Sequence, residues 1–175
     1  MKEVKELPQR KPLRWNNYDY NTPGAYFITI CTHDKRCTLS HVVGAIHESP
    51  AIKLTNFGQI VEHILHHIPA HLKATVDRFV IMPNHIHLLL VILDDEELRA
   101  IRESPLRGRS VISKTVGYIK MNATRQIHEI HDDVNVWQRG FHDHVIRDHR
   151  DYEKIAKYID ENPAQWERDR MWVKE

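Results

Sequence analysis

Two apolar stretches joined by a two-residue turn constrain the fold more than any other feature of the chain. The first is "ATVDRFVIM", residues 74–82, and the second is "HIHLLLVIL", residues 85–93. Each has the length and the branched apolar residues of a buried strand. Pro83 and Asn84 lie between them, and both are typical turn residues. The sequence therefore predicts two successive strands that turn at Pro83.

The segments around this pair predict the remaining elements. "GAYFITICT" follows a Thr-Pro-Gly turn and predicts a strand, and residues 41–55 predict a short hairpin. Apolar spacing predicts a helix that starts near Thr55 or Asn56 and stops at Pro69, and a second helix in "SVISKTVGYIKMNATRQI". "VWQRGFHDHVIRD" predicts a last strand, and "HRDYEKIAKYIDEN" a final helix that Pro163 stops.

This order of elements predicts an α+β fold with a ferredoxin-like split βαβ arrangement. The sheet is expected to be antiparallel with helices on one face, followed by an added C-terminal helix that carries a tyrosine. In this topology the first and third main strands lie at the centre of the sheet. The third of these strands begins with His85 and His87.

Length and composition indicate one domain over residues 1–175, with a basic arm over residues 1–20 and a mobile connection over residues 94–110. The two cysteines suggest neither a disulfide framework nor a four-ligand zinc site. We find no signal peptide, lipidation motif or run long enough to span a bilayer, and therefore expect a cytoplasmic protein without membrane contact.

Positive charge is concentrated in one part of a chain whose formal net charge is only +1. Between Leu98 and Ile127 there are seven cations and one acid, Glu103. This excess suits a phosphate-rich partner, although a solvated helix face would look the same. The seven cations are Arg99, Arg102, Arg107, Arg109, Lys114, Lys120 and Arg125.

The two histidines at the start of the third strand are candidate metal ligands. Because strand side chains alternate, His85 and His87 point to one face and Ile86 to the other, so both imidazoles can reach one divalent cation. The alternative is one solvated histidine and one that bonds a backbone carbonyl, which is common for so short a motif. A second pair, His142 and His144, is interpreted as a polar strand end.

The last helix offers further ligands on one face. Tyr158 and Asn162 are four residues apart, whereas Tyr152, Ile155 and Ile159 form a separate apolar stripe. A helix packed across the sheet would bring the Tyr158 hydroxyl and the Asn162 amide oxygen near the imidazoles. Two nitrogens and an oxygen suit Mg²⁺ or Mn²⁺. A surface tyrosine whose ring lies on the sheet is the other interpretation.

Three of these segments together resemble a known family. "YDYNTPGAYFITICTHDK", "VIMPNHIHLLL" and "VWQRGFHDHVIRDHRDYEKIAKYIDENPAQWERD" resemble the REP-associated tyrosine transposases, which are single-tyrosine transposases within the HUH endonuclease superfamily. The resemblance runs from about Arg10 to Asp169 and therefore covers almost the whole chain. None of the motifs is specific alone, but all three occur in the expected order.

The resemblance implies a metal-dependent enzyme that nicks single-stranded DNA, often beside a hairpin, and transfers the strand. It implies that His85 and His87 hold one divalent cation, Mg²⁺ or Mn²⁺, and that the amide of Asn162 completes the site. It assigns Tyr158, in "YIDENP", as the nucleophile that forms a 5′-phosphotyrosine intermediate. Single-stranded or hairpin DNA is the implied partner, and a homodimer or a monomer fits equally well.

Several alternatives stay open. Tyr118 is a rival nucleophile, because Asn122 follows it at the same spacing. We expect Arg107, Arg109, Lys114, Lys120 and Arg125 to contact the DNA backbone, which would give a salt-dependent affinity without sequence readout. The main alternative function is a catalytically inactive, domesticated protein that only binds single-stranded or hairpin DNA.

Overall fold

The computed structural model describes residues 18–44, 51–96 and 108–173. Most of the predicted arm, most of the predicted connection and the cation Arg107 lie outside these ranges. Within them, none of the helices combines the length and apolarity required to cross a bilayer.

Four strands form the main sheet, which is antiparallel throughout. They are β1 (Gly24–Cys31), β4 (Ala74–Ile81), β5 (His85–Ile92) and β6 (His142–Val145), in the order β4-β5-β1-β6. The first and third main strands, β1 and β5, are therefore central, as predicted. β2 (Ser40–Val43) and β3 (Ala51–Leu54) pair as a separate antiparallel ribbon, which is the predicted hairpin.

Among the described residues, each of three α-helices begins at a side chain that accepts a backbone N–H, which is the usual reason that a helix starts where it does. Thr55 caps α1 (Asn56–His66), Ser110 caps α2 (Val111–His128) and Asp148 caps α3 (His149–Glu161). Pro163 ends α3 as predicted, and the chain continues as a 3₁₀ helix over Asn162–Arg168.

One face of the main sheet packs against α1 and α2. Its central strands supply Ile28, Ile30 and Ile86, which are fully buried. From the helices, Ile64 and Ile119 complete the same apolar cluster. This arrangement is the ferredoxin-like layer predicted from the order of elements. It fixes the register of β5, because a one-residue slip would turn His85 and His87 into this apolar cluster.

The opposite face of the sheet packs against α3. Phe27 and Leu89 on the central strands form a second apolar cluster with Ile155 and Ile159 of the helix. His85 and His87 alternate with Ile86 and so share this second face. Consequently, the C-terminal helix lies against the face that carries the histidine pair, opposite the face that α1 and α2 cover.

Candidate functional site

The two histidines of β5 point their ring nitrogens at one another inside the protein. His85 is fully buried and His87 is only 4% exposed. Their Nε2 atoms are 3.0 Å apart, and Nδ1 of His87 lies 2.9 Å from the hydroxyl of Thr29 on β1. In the sheet Thr29 is paired directly with His87, so the regular register of β1 and β5 places this contact.

The hydrogen bonds of Asn84 assign the protonated nitrogen of His85. The Asn84 Nδ2 donates to the carbonyl oxygens of Lys35 and Met171, at 3.3 and 2.8 Å, so its Oδ1 must face His85. This oxygen accepts from Nδ1–H of His85 at 2.9 Å. Neutral His85 therefore presents a lone pair at Nε2, which is the form that a metal ion binds.

The tyrosine of the final helix reaches the same place. The Tyr158 hydroxyl lies 3.3 Å from Nε2 of His87 and donates to Oδ2 of Asp169 at 3.0 Å. Its ring contacts Phe27 edge-on and leaves the side chain 37% exposed. Because α3 packs on the histidine face of the sheet, the spacing of Tyr158 from the buried Ile155 and Ile159 directs it towards this site.

Asp169 is a site residue that the sequence analysis missed. It follows the 3₁₀ helix, and its ligand atom lies within 4.8 Å of those of His85 and His87. Its Oδ1 accepts from the backbone N–H of Met171 at 2.6 Å, which fixes the carboxylate. No periodicity marks this position, because the chain turns back after Pro163.

Asn162 lies beside the carboxylate of Asp169. Its Nδ2 donates to Oδ2 of Asp169 at 3.3 Å, so the amide nitrogen faces the carboxylate. Its Oδ1 is buried and has no hydrogen-bond partner among the described residues. A buried amide oxygen without a partner is costly, and it is a natural ligand for a hard cation.

These groups fit a divalent cation. His85, His87 and Asp169 are the one cluster of three such ligands found in the described part of the chain. Two imidazole nitrogens and a carboxylate suit several divalent metals, and the orphaned oxygen of Asn162 adds a fourth candidate donor. The Nε2 atoms of both histidines face the same point, because their Nδ1 atoms are engaged elsewhere.

Burial keeps both imidazoles neutral. It lowers the pKa of His85 to about 4 and the pKa of His87 to about 3, where the nearby His85 adds to the effect. Burial acts in the opposite direction on Asp169, yet hydrogen bonds from Met171 and Asn162 and the nearby His85 hold the pKa of this carboxyl below its usual value. At neutral pH both imidazoles are thus uncharged and the Asp169 carboxyl is ionised, which are the charge states that metal binding requires.

The Tyr158 phenol is harder to ionise than a free tyrosine. Burial, together with the negative charge of Asp169, raises its pKa to about 12, although the charge of Arg170 acts in the opposite direction. The hydroxyl therefore stays protonated at neutral pH in the protein alone. Any chemistry in which Tyr158 acts as a nucleophile requires that the charge of Asp169 be offset.

A cleft of about 550 Å³ opens onto this cluster. His87 and Tyr158 line it together with Asp169, and Lys35 and Arg170 bring positive charge to its wall. The cleft lies beside β1, the strand that pairs with β5 on one side and with β6 on the other. A ligand in this cleft would therefore contact Tyr158 and His87.

The predicted cationic positions occupy different surroundings. Arg109, Lys114 and Arg125 are exposed at the start and along α2. Lys120 instead donates to the carbonyl oxygens of Gln138 and Gly140, at 2.6 and 2.9 Å, so its ammonium anchors the segment before β6. Burial lowers its pKa.

The rival tyrosine and the second histidine pair lie apart from the ligand cluster. Tyr118 packs against the core on the α1 and α2 side, and its carbonyl oxygen accepts from Asn122. On β6, His144 contacts Asp151 at 2.9 Å, whereas His142 lines the wall of the cleft. The structure thus brings Tyr158, and not Tyr118, to His85 and His87.

The chain is similar in sequence to two proteins of Haemophilus influenzae. A Haemophilus influenzae protein named "Uncharacterized protein" is 33% identical over 178 residues, which cover 95% of each chain. A second protein of the same organism, named "Putative REP-associated tyrosine transposase", is 29% identical over 151 residues, 85% of this chain and 76% of that one. No protein-family model matches the chain.

Among solved structures, the chain matches a REP-associated tyrosine transposase bound to a REP hairpin, with a TM-score of 0.57. The match covers 87% of this chain and 73% of that one. Because the two are only 20% identical, the match supports the fold. The fold and the relatives together define a transposase-like α+β protein. Within that class, the chain is related to the REP-associated tyrosine transposases, which confirms the resemblance found in the sequence.

Proposed function

We propose that the protein is a metal-dependent nuclease and strand transferase that acts on single-stranded DNA carrying hairpins. The observation that carries this proposal is the position of the Tyr158 hydroxyl, 3.3 Å from Nε2 of His87 and 3.0 Å from Oδ2 of Asp169. A nucleophile beside a set of metal ligands is the arrangement that phosphoryl transfer to a tyrosine requires. The REP hairpin bound in the matched structure supports hairpin DNA as the substrate, and the relative's name supports a tyrosine transposase.

In the proposed reaction, the Tyr158 oxygen forms a bond to the phosphorus of a phosphodiester, and the bond from phosphorus to O3′ breaks. The products are a 5′-phosphotyrosine and a free 3′ hydroxyl, and the phenol proton is transferred away as O3′ gains one. In the resting protein this proton is on the phenol, which donates a hydrogen bond to Oδ2 of Asp169. A later attack by another 3′ hydroxyl on the phosphotyrosine reverses these bond changes and joins a new strand.

His85, His87 and Asp169 would hold the cation, with the side-chain oxygen of Asn162 as a further ligand. A bound Mg²⁺ or Mn²⁺ supplies Lewis-acid polarisation of a phosphoryl oxygen and offsets the negative charge of Asp169. The protein's own part is to hold both imidazoles neutral and their rings fixed. Burial keeps the rings neutral, and Thr29 and Asn84 hold them in place through their Nδ1 atoms.

The exposed cations of α2 support a nucleic-acid partner. Arg109, Lys114 and Arg125 would contact the DNA backbone, and the same role is proposed for Arg107, outside the described residues. For Lys120 we propose an indirect role, because its ammonium is engaged by two carbonyl oxygens of the segment that precedes β6. Direct contacts between these side chains and the DNA backbone add affinity without sequence specificity.

Incubation with single-stranded hairpin oligonucleotides and Mn²⁺ or Mg²⁺ tests the proposal. We expect a covalent protein–DNA adduct on a denaturing gel, lost with EDTA and in Tyr158→Phe. Tyr118→Phe is the matched control and should keep the adduct, because Tyr118 packs on the other side of the sheet.

The outcomes also separate the two candidate functions. An adduct that forms in Tyr158→Phe but not in Tyr118→Phe would show that Tyr118 on α2 is the nucleophile. This result would reject the proposed site. Hairpin binding without any adduct, under every metal condition tried, would favour the inactive DNA-binding protein instead.

A further inference from the structure

We infer that Lys35 and Arg170 form a binding site for one phosphodiester group of a nucleic-acid strand, in the cleft beside Tyr158. The identity of the ligand rests on the proposed function, whereas the site itself rests on the placement of the two side chains. Both residues line the cleft of about 550 Å³ that His87 and Tyr158 also line. They come from opposite ends of the chain, so their meeting is a property of the fold.

The backbone of Lys35 has a conformation that side chains rarely adopt. Its φ is 54°, and that of Asp34 is 53°, both in the left-handed region that favours glycine. Such conformations persist where the surrounding structure imposes them, and they are concentrated at functional sites. The surrounding structure thus holds the loop after β1 in the shape in which Lys35 lines the cleft.

A single buried amide holds both cationic segments. Asn84 is fully buried, and its Nδ2 donates to the carbonyl oxygens of Lys35 and of Met171, the residue after Arg170. The same side chain accepts from Nδ1–H of His85. The backbones of Lys35 and of Met171, next to Arg170, are thus fixed relative to one histidine of the candidate metal site, although 135 positions separate Lys35 from Arg170 in the sequence.

The charge balance of the cleft favours an anion. Among the described residues that line it, Lys35 and Arg170 are the two full cations and Asp169 is the one acid. Two cations against one acid already give the cleft a net positive charge, and a cation on Asp169 would increase it.

A phosphodiester matches this site chemically. It has one negative charge shared by two non-bridging oxygens, and an arginine and a lysine can each donate to one of them. Held there, the phosphorus would lie next to the Tyr158 hydroxyl, and the positive charges would offset the charge that builds up on the phosphoryl oxygens during attack. Lys35 and Arg170 would therefore be catalytic residues as well as binding residues.

Binding of a single-stranded oligonucleotide to Tyr158→Phe tests the site without any cleavage. In this background, Lys35→Gln and Arg170→Gln should each weaken binding about tenfold. Each should also reduce the slope of log affinity against log salt concentration by about 0.7, the value for one lost contact with a single strand. The matched controls are Arg36→Gln and Arg168→Gln, neighbours of equal charge that do not line this cleft. Equal losses in the controls would overturn the inference.

Lys35→Gly separates binding from structure. Glycine adopts a φ of 54° without strain, so this variant should unfold at the same temperature as the parent protein or at a higher one. It should nevertheless lose as much affinity as Lys35→Gln. Binding by Lys35→Gly that equals the parent's would show that only the loop shape matters, and would overturn the inference.

The rate of adduct formation completes the test in the protein that retains Tyr158. We expect Lys35→Gln and Arg170→Gln to slow it about 10- to 100-fold at saturating DNA, with the two controls unchanged. If no adduct forms in any protein, the proposed reaction fails, but the binding comparison still decides the phosphate site. If adducts form normally in both variants, the phosphate site fails and the proposed reaction stands.

Discussion

Oδ1 of Asn84 accepts a hydrogen bond from Nδ1 of His85 at 2.9 Å, and this contact decides which nitrogen of the ring faces the candidate metal site. Without it, a neutral His85 could carry its proton on either nitrogen. With it, Nε2 has a free lone pair, 3.0 Å from Nε2 of His87. In the metal-free protein His87 must then supply the proton between them, and the Thr29 hydroxyl donates to its Nδ1.

Removing this contact should weaken metal binding. We expect Asn84→Ala to lower the affinity for Mn²⁺ about 10- to 100-fold, the usual effect of removing a hydrogen-bond partner of a metal-bound histidine. Isothermal titration calorimetry measures the affinity, with Asn122→Ala as the control because its amide bonds only the Tyr118 carbonyl oxygen on α2. Unchanged affinity in a folded Asn84→Ala protein would show that the ring needs no such support.

Asp169 should control how easily Tyr158 ionises. Its carboxylate accepts from the phenol at 3.0 Å, and its charge adds to the effect of burial that raises the pKa of Tyr158 to about 12. In Asp169→Asn this charge is absent, so the pKa of Tyr158 should fall towards 10. Tyrosinate absorbance in EDTA measures this pKa. The signal of Tyr158 is the absorbance of Asp169→Asn minus that of the double variant Asp169→Asn with Tyr158→Phe.

Asp160→Asn is the matched control for this shift. Asp160 lies on the same helix but pairs with Arg78, at 2.8 Å, on the surface. Its substitution should leave the titration of Tyr158 unchanged. An equal shift in both variants would mean that general surface charge, and not the contact with Asp169, governs the phenol.

The sequence predicts those parts of the fold and site that depend on neighbours along the chain. Pro83 and Asn84 marked the turn, and alternation placed His85 and His87 on one face of a central strand. Helical spacing likewise placed Tyr158 on one side of α3. These inferences need only local geometry, and the observed strand order β4-β5-β1-β6 follows from the split βαβ pattern.

Contacts that depend on the path of the chain could not be predicted. Asp169 reaches the histidines because the 3₁₀ helix after Pro163 turns the chain back, and nothing in "WERDRM" signals this. Asn84 was interpreted only as a turn residue, although its amide links three segments. Lys120 looked like one more exposed cation, because sequence does not show the carbonyl oxygens that engage it.

The histidine pair should make the metal-free protein sensitive to acid. Burial lowers the pKa of His85 to about 4 and of His87 to about 3, both below the value of about 6.5 in an unfolded chain. The unfolded chain therefore binds more protons below pH 6.5. The stability present above that pH should be lost as the pH falls towards 4, with a slope of up to about 1.4 kcal/mol per pH unit for each histidine.

Urea unfolding in EDTA between pH 7 and pH 4 measures this loss. His85→Gln with His87→Gln should flatten the pH dependence, because the glutamines have no protons to gain. His63→Gln with His67→Gln is the matched control, since His63 on α1 and His67 directly after this helix are both exposed. Equal flattening by both double variants would contradict a special role of the buried pair.

Gly58 allows the start of α1 to lie against the chain segment that precedes the β2–β3 ribbon. A Cβ atom at this position would be 2.1 Å from the carbonyl oxygen of Leu39, and that oxygen already accepts from the backbone N–H of Thr55 at 3.0 Å. Gly58→Ala must therefore displace backbone, and should lower the free energy of unfolding by about 1–3 kcal/mol.

Gly117 is the matched control, because nothing lies within 4 Å of a Cβ there. In the middle of α2, Gly117→Ala should raise the free energy of unfolding by about 0.5–1 kcal/mol, since alanine loses less backbone entropy in a helix. Urea unfolding of both variants measures these opposite changes. A neutral Gly58→Ala would mean that α1 can move away from Leu39 at no cost, and that Thr55 could cap the helix without this close approach.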